Sequence, residues 1–154
     1  MTVNAGDRAP DFEMPSDDGS ISLAELRGKT VVLYFYPKDD TSGCTNEAKA
    51  FTEAAGDFAS INAAVIGVSK DTVASHAKFR AKYGLAPRLG SDADGDVIER
   101  YGAWVEKNMY GRKYMGIERS TFLIDGAGVV RRVWRKVKVQ GHAAEVLGAA
   151  RDLS

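Results

Sequence analysis

The run Thr30-Val31-Val32-Leu33-Tyr34-Phe35-Tyr36 holds β-branched, aliphatic and aromatic side chains with no polar alternation. A strand with one wet face alternates; one that does not is covered on both faces, as in sheets layered with helices. Beyond it, from about Thr45 to Phe58, the apolar residues Ala48, Phe51, Ala54, Ala55 and Phe58 recur at helical spacing. Ala63 to Val68 then reads as a second buried strand, completing a β-α-β unit. Upstream, Asp11 to Ser22 carries the turn Ser16-Asp17-Asp18-Gly19-Ser20 between two short apolar pieces, which predicts a hairpin. Leu23-Ala24-Glu25-Leu26 follows as a short helical turn stopped by Gly28.

Downstream, a helix is predicted from Asp71 to Tyr83, ended by Gly84. Asp92 to Tyr101 reads as a turn and a short helix. Ser120 to Ile124 and Val129 to Trp134 are strands joined by Asp125-Gly126-Ala127-Gly128, a hairpin signal. Gly141 to Leu153 closes the chain as an amphipathic helix. This order is the thioredoxin-like plan with an N-terminal β-hairpin extension: an α/β fold whose central mixed sheet is flanked by helices. The 154 residues hold no internal repeat, low-complexity tract or linker, so a single domain over 1–154 is expected.

Composition narrows the function classes. Apolar residues at 44% and charged residues at 27% fit a globular chain that builds a core without disulfide or metal staples. Lysine plus arginine equal aspartate plus glutamate at 21 each, and that neutrality argues against a generic binder of nucleic acid or acidic membrane. No stretch approaches the roughly 20 apolar residues of a membrane helix. The start MTVNAGDRAPDF lacks the basic-then-apolar pattern of a secretory signal, so a cytoplasmic location is expected.

The one cysteine, Cys44, can form no intrachain disulfide, and with only His76 and His142 as further soft ligands it supports no cysteine-rich zinc site. It lies in the first turn of a helix that follows the carboxyl end of a central strand, where open α/β sheets place their sites. The unpaired amides and positive dipole end there favour an anion, which for cysteine is the thiolate. Gly43 permits a close approach of another backbone or a ligand, and the Thr41 hydroxyl can donate to the sulfur or to a bound oxygen. Cys44 also precedes Ala48 and Phe51 at i+4 and i+7, the pattern of a core cysteine. From position alone the two readings weigh the same.

The stretch YFYPKDDTSGCTNEA resembles the active-site segment of the peroxiredoxins, in particular their bacterioferritin comigratory protein (PrxQ) branch. The family motif of proline, three residues, threonine, two residues, cysteine is met by Pro37, Thr41 and Cys44. The likeness runs on through Ala9-Pro10-Asp11-Phe12, Gly67-Val68-Ser69, Lys82-Tyr83-Gly84, Ser91-Asp92 and Arg119-Ser120-Thr121-Phe122-Leu123-Ile124-Asp125. The resemblance implies the peroxiredoxin fold and thiol-dependent reduction of hydrogen peroxide and organic hydroperoxides. It makes Cys44 the peroxidatic cysteine, which attacks the O–O bond and becomes a sulfenic acid. Thr41 then orients the peroxide, Pro37 packs over the site, Arg119 folds back to the cysteine, and Glu47 holds that arginine. A guanidinium suits this task because it is planar, permanently charged and able to contact two atoms at once.

Two departures from the family pattern follow. Many PrxQ proteins carry a second cysteine five residues after the first, where Lys49 stands here, and the segment His76 to Tyr83 offers none either. The chain therefore looks like a 1-Cys member whose sulfenic acid is resolved by an external thiol (thioredoxin, glutaredoxin or glutathione) or by another subunit's Cys44. Ser42 stands where proline is frequent, and its oxygen can still cap a helix. No cofactor is implied, and a monomer or weak homodimer is expected. A peroxide sensor that relays its oxidation to a partner, and a non-catalytic thioredoxin-like binding module, are the alternatives.

Weaker signals have plainer readings. Asp92-Ala93-Asp94-Gly95-Asp96 with Glu99 has part of a calcium loop's acidic spacing, but the glycine is misplaced and the loop too short; a turn and an Asp96-capped helix are expected. Gly126-Ala127-Gly128 precedes a strand, so it is a hairpin turn and not a dinucleotide loop. Arg131, Arg132, Arg135, Lys136 and Lys138 interleave with valines as one solvated strand face. His76 and His142 are read as surface or cap residues, and Trp104, Tyr110 and Tyr114 as packing residues that could instead line the approach to Cys44.

Overall fold

The computed structural model describes residues 3–153. A hairpin of β1 (Glu13–Ser16) and β2 (Gly19–Ser22) opens the chain, followed by a single 3-10 turn at Ala24–Leu26. Then come β3 (Thr30–Phe35), α1 (Ser42–Glu53), α2 (Ala55–Ser60), β4 (Ala63–Ser69), α3 (Val73–Tyr83), β5 (Arg88–Ser91) and α4 (Val97–Arg100). The chain ends with β6 (Trp104–Met109), β7 (Arg112–Ile117), β8 (Ser120–Ile124), β9 (Val130–Trp134) and α5 (His142–Leu153). Seven strands form one sheet in the order β2-β1-β5-β4-β3-β8-β9, while β6 and β7 pair only with each other. The sheet is mixed: β3 runs parallel to β4 and antiparallel to β8.

The strand that opened the sequence reading is the hinge of the packing. Val31, Leu33 and Phe35 enter a cluster with Ile66, Val68, Ile98, Tyr101 and Phe122 on one sheet face. Val32 and Tyr34 enter a second cluster with Cys44, Ala48, Phe51, Phe58, Phe79 and Val146 on the other. Side chains along a strand point alternately to the two faces, so a strand buried twice must be apolar throughout. At the carboxyl end of β3 the chain leaves both layers and enters the loop that leads to α1.

Several elements differ from the sequence reading. The helix expected over Thr45 to Phe58 starts earlier and is broken at Ala54 (φ −90°, ψ 3°) into α1 and α2. Gly56 lies just past the break, where the helix has least intrinsic support, and the apolar stripe survives it because Phe51 and Phe58 are both buried. Strand β5 and the β6–β7 hairpin were not anticipated. Arg88-Leu89-Gly90-Ser91 has no β-branched or aromatic residue, and its Gly90 leaves room for Met14, whose Cε lies 3.0 Å from where a Cβ would stand. The hairpin turns on Tyr110 (φ 53°) and Gly111 (φ 79°), a type I′ geometry met more often with Asn-Gly.

The basic segment is not one continuous strand. β9 ends at Trp134, and the register against β8 jumps from Leu123↔Arg132 to Ile124↔Val130, which leaves Arg131 as a bulge. Arg131 and Arg132 are consequently both exposed, and Lys136 sits outside the strand with φ 49°. Both histidines correct the expectation of surface positions. His76 is fully buried and His142 is 6% exposed. His142 is packed edge-on to Phe51 and Trp134 with Nε2 2.8 Å from the Thr121 hydroxyl. Among the described residues no helix is long and apolar enough to cross a membrane.

Candidate active site

Thr41, with extended backbone (φ −97°, ψ 155°), caps α1, and its carbonyl oxygen accepts from the Thr45 amide at 2.8 Å. Cys44 is the third residue of this helix and only 2% exposed, on the face that carries Ala48 and Phe51 down onto the sheet. The core-like position and the helix-start position are therefore the same position. Neither Thr41 nor Ser42 caps through its side chain; the Thr41 hydroxyl gives its proton to the Lys38 carbonyl oxygen, 2.8 Å away, and not to the sulfur.

Arg119 arrives from the far side of the chain. It lies between the end of β7 and the start of β8, and β8 pairs antiparallel with β3 so that Ser120 faces Phe35. Its Nη2 donates to Cys44 Sγ at 3.4 Å, and its Nη1 donates to Glu47 Oε1 at 2.7 Å. Gly43 is what admits the guanidinium: a Cβ there would stand 3.1 Å from Arg119 Nη2. Burial alone would weaken the arginine's charge, but Glu47 and Cys44 outweigh it and hold the group more firmly protonated than usual. Glu47 is 1% exposed, and burial pushes its carboxyl up to about 7 against the pull of Arg119. Among the described residues its Oε2 has no hydrogen-bond partner.

The loop between β3 and α1 is pinned by two consecutive aspartates. Asp39 is buried; its Oδ1 accepts from the Tyr36 hydroxyl at 2.6 Å and its Oδ2 from the Ser75 hydroxyl at 2.8 Å. Its amide donates to Asp71 Oδ2, also 2.8 Å away. Asp40, in the left-handed region at φ 58°, accepts from Tyr83 Oη at 2.6 Å and from Lys82 Nζ at 2.8 Å. Behind Asp39 stands His76, whose Nε2 lies 2.9 Å from Ser69 Oγ and 3.6 Å from Asp39 Oδ1. Ser69 Oγ is in turn 2.8 Å from Asp71 Oδ2. Burial drives the Asp39 carboxyl up and the His76 imidazole down, each against partners that favour its charged form.

Asp39, Asp71 and His76 bring their ligand atoms within 4.8 Å of one another, a spacing that invites a metal. The hydrogen bonds do not fit one. Both Asp39 oxygens and Asp71 Oδ2 already accept protons. His76 Nδ1 is buried without a partner among the described residues, whereas a metal-bound imidazole is held by a hydrogen bond from its second nitrogen.

Residues 5–133 match the AhpC/TSA family. The chain belongs to that family. A bcp-named chain of Coxiella burnetii is 52% identical over 149 residues, covering 96% of this chain and 99% of its own. The Bacillus subtilis protein called Peroxiredoxin Bcp is 46% identical over 155 residues, covering all of this chain and 99% of its own. A Xanthomonas campestris bacterioferritin comigratory protein, whose structures were solved to follow its alkyl peroxide reduction, superposes with a TM-score of 0.89 at 41% identity, covering 97% of this chain and 96% of that one. The chain is thus a peroxiredoxin with the thioredoxin-like fold, a thiol-dependent peroxidase that takes a peroxide and a thiol reductant.

Of the residues read from the sequence, the peroxiredoxin fold brings Cys44, Arg119 and Glu47 into contact. Thr41 stands at the start of the same helix, and Pro37 is exposed where the loop begins. Lys49 is exposed, its Nζ 5.3 Å from the Tyr83 ring centre. Tyr110 and Tyr114 stand on the exposed hairpin, and Trp104 packs against the cluster on the sheet face opposite Cys44. Asp92, not Asp96, caps α4: its two carboxylate oxygens accept from the Val97 and Ile98 amides at 3.2 and 2.9 Å. Sequence reading missed the Asp39–Asp71–His76 network. A loop aspartate followed by a helical Ser-His pair was the available signal.

Proposed function

We propose that Cys44 is the nucleophile of this peroxidase and that Arg119, Thr41, Glu47 and Pro37 form its working surroundings. The observation that carries this reading is the Arg119 guanidinium donating at once to Cys44 Sγ and to Glu47 Oε1. In the first half-reaction the thiolate attacks the nearer peroxide oxygen; the S–O bond forms as the O–O bond breaks, and the departing oxide takes a proton to leave as water or an alcohol. Negative charge moves from sulfur to the leaving oxygen, so a fixed cation beside that line stabilises the transition state more than the ground state. Thr41, its own proton committed to Lys38, offers lone pairs to the peroxide O–H and so orients it. Glu47 keeps the guanidinium in place.

The second half-reaction needs thiols from outside, because the sequence has one cysteine. A first thiol attacks the sulfenic sulfur, expelling water and leaving a mixed disulfide; a second thiol displaces Cys44 and restores it. Thioredoxin, glutaredoxin or glutathione supplies those thiols to a single-domain chain acting as a monomer or weak homodimer in the cytoplasm.

Stopped-flow oxidation of the reduced protein by hydrogen peroxide and by an organic hydroperoxide, with mass spectrometry to place the added oxygen, tests the assignment. The expected result is fast, stoichiometric sulfenic acid at Cys44 and its complete loss in Cys44→Ser. A Cys44→Ser variant that still consumed peroxide at the native rate would remove Cys44 from the mechanism. Many turnovers with a thiol present separate a peroxidase from a relay, which would oxidise once and stop.

A further inference from the structure

The basic segment after β9 has had no part in the chemistry so far. Lys136 and Lys138 are exposed, and among the described residues neither forms an ion pair. Arg135 between β9 and Lys136 gives its guanidinium to the Gly102 and Val3 carbonyl oxygens, and Arg132 pairs with Glu145 at 3.6 Å. The two lysines, with Trp134, Gln140, His142 and Glu145, line a cavity of about 400 Å³. It adjoins the active site, because Val137, which also lines it, donates its amide to the Arg119 carbonyl oxygen at 3.0 Å.

One buried side chain opens onto this cavity. His142 is 6% exposed, and its Nε2 lies 2.8 Å from the Thr121 hydroxyl. Thr121 is fully buried, and no other acceptor for its proton stands among the described residues, so the hydroxyl donates to Nε2. The ring proton is then on Nδ1, which has no hydrogen-bond partner among the described residues and is not sealed from solvent. Burial holds the imidazole below its usual range, Glu145 pulls it up and Arg119 pushes it down again, so the ring is a neutral donor. His142 is also the first residue of the twelve-residue α5, whose positive end lies at the same place. Glu145 is the acidic group on the wall, and it is committed to Trp134 Nε1 and to Arg132. Two ammonium groups, an imidazole N–H and a helix start thus converge on a space shaped for an anion.

Size and distance narrow the anion. The cavity falls in the range of small-molecule sites, roughly 300–1,000 Å³. His142 packs edge-on to Phe51, and Cys44 lies seven residues before Phe51 on α1, about 10 Å along the helix. A peptide of two or three residues spans that separation. We propose that this cavity is the docking site for the carboxylates of a small peptide thiol, held by Lys136, Lys138 and His142 while the thiol reaches the oxidised Cys44 past Arg119. The peptide sulfur attacks the sulfenic sulfur: the S–S bond forms, the S–O bond breaks, and the thiol proton leaves with the hydroxide as water. Cys44 is reduced and the thiol oxidised; a second peptide thiol then displaces the first as its disulfide. The three side chains bind the reductant and touch no reacting atom. The inference rests on Cys44 being the peroxidatic residue and selects, among the external thiols, the small anionic one.

The test compares wild type with the double variant Lys136→Gln/Lys138→Gln and with Lys29→Gln/Lys113→Gln, which removes the same charge before β3 and on β7. S-methylglutathione, which cannot react, is titrated into the reduced proteins and followed by amide NMR. Shifts grouped over residues 134–142 are expected in wild type and in the control, and not in the Lys136/Lys138 variant. The sulfenic form, made with one equivalent of hydrogen peroxide, is then mixed with glutathione, with its diethyl ester or with dithiothreitol in stopped flow. The Lys136/Lys138 variant is expected to lower the glutathione rate relative to the dithiothreitol rate roughly three- to tenfold, and the ester, whose carboxylates are masked, to show no such drop. Shifts scattered away from the cavity would overturn the site, as would equal slowing with all three thiols. Inorganic phosphate giving the same shifts at the same concentration would make it a plain anion site. Slower reduction by thioredoxin with glutathione untouched would hand the surface to the acidic side chains of a protein. If wild-type Cys44 is not oxidised quickly, the nucleophile assignment fails while the titration still judges the site.

Discussion

Two parts of the molecule that stand outside the seven-stranded sheet are held by opposite means. The loop 37–41 has no regular backbone pairing, yet Asp39 and Asp40 tie it to Tyr36, to α3 and to Asp71 just past β4 through hydrogen bonds of 2.6–2.8 Å. The β6–β7 hairpin is a regular ladder from Trp104↔Ile117 to Met109↔Arg112, but beyond its base it leans on little, and Met109, Tyr110, Tyr114 and Met115 stand exposed. Regularity and rigidity come apart here. A two-stranded ribbon is marginal on its own, whereas removing one member of the buried network around Asp39 leaves its partners unpaired away from water.

The sharpest way to break this contrast is at the arginine that completes the loop's site. Arg119→Ala is expected to slow the peroxide step by two to three orders of magnitude, about 3 kcal/mol by comparison with lost oxyanion donors. Stopped-flow oxidation checks it, and an unchanged rate would deny the guanidinium its role. A smaller effect concerns stability. Glu47 is pushed up to about 7 in the folded protein, well above its value in an unfolded chain, so it ionises on unfolding before it does in the fold. Its contribution is intact at low pH and is lost as pH rises from about 4.5 to about 7. The stability of Glu47→Gln relative to wild type should thus climb across that interval, by on the order of 1–2 kcal/mol once relaxation around the buried carboxylate is allowed for, and level off above it. Denaturant melts at a series of pH values measure this, and a flat difference would contradict the burial-driven shift. At the other end of the scale, Tyr110→Ser at the tip of the hairpin should leave peroxide turnover unchanged and shift stability by no more than about 0.5 kcal/mol. A loss of activity in that variant would show that the hairpin works with the loop after all.

How much of this was legible in the sequence depends on how far apart the partners lie. Strands β3, β4 and β8 were readable because burial on both faces forces an uninterrupted apolar run, and α3 because Gly84 in the left-handed conformation ends it. The hairpin was not, since Lys107, Asn108, Arg112 and Lys113 mask its alternation and Tyr-Gly is an unusual tip. Cys44, Glu47 and Arg119 were reached through resemblance, not through spacing. The network around Asp39 was hidden because Asp39 meets Ser75 and Asp71 across 36 and 32 positions, and no local pattern records such a pairing. His76 was misread for the same reason: a histidine on a helix looks like a surface residue until its hydroxyl partner on another strand is known.

The contact between Arg119 and Cys44 spans 75 positions and depends on β8 lying against β3 in one register, Phe35 to Ser120. During synthesis the cysteine therefore emerges long before its arginine. A growing chain that stops short of β8 displays a thiol with no guanidinium beside it, and the β-α-β unit by itself has no means of supplying one. On the proposed assignment of Cys44 and Arg119, fast peroxide chemistry requires the pairing of β8 with β3 and is absent from a growing chain that stops short of it.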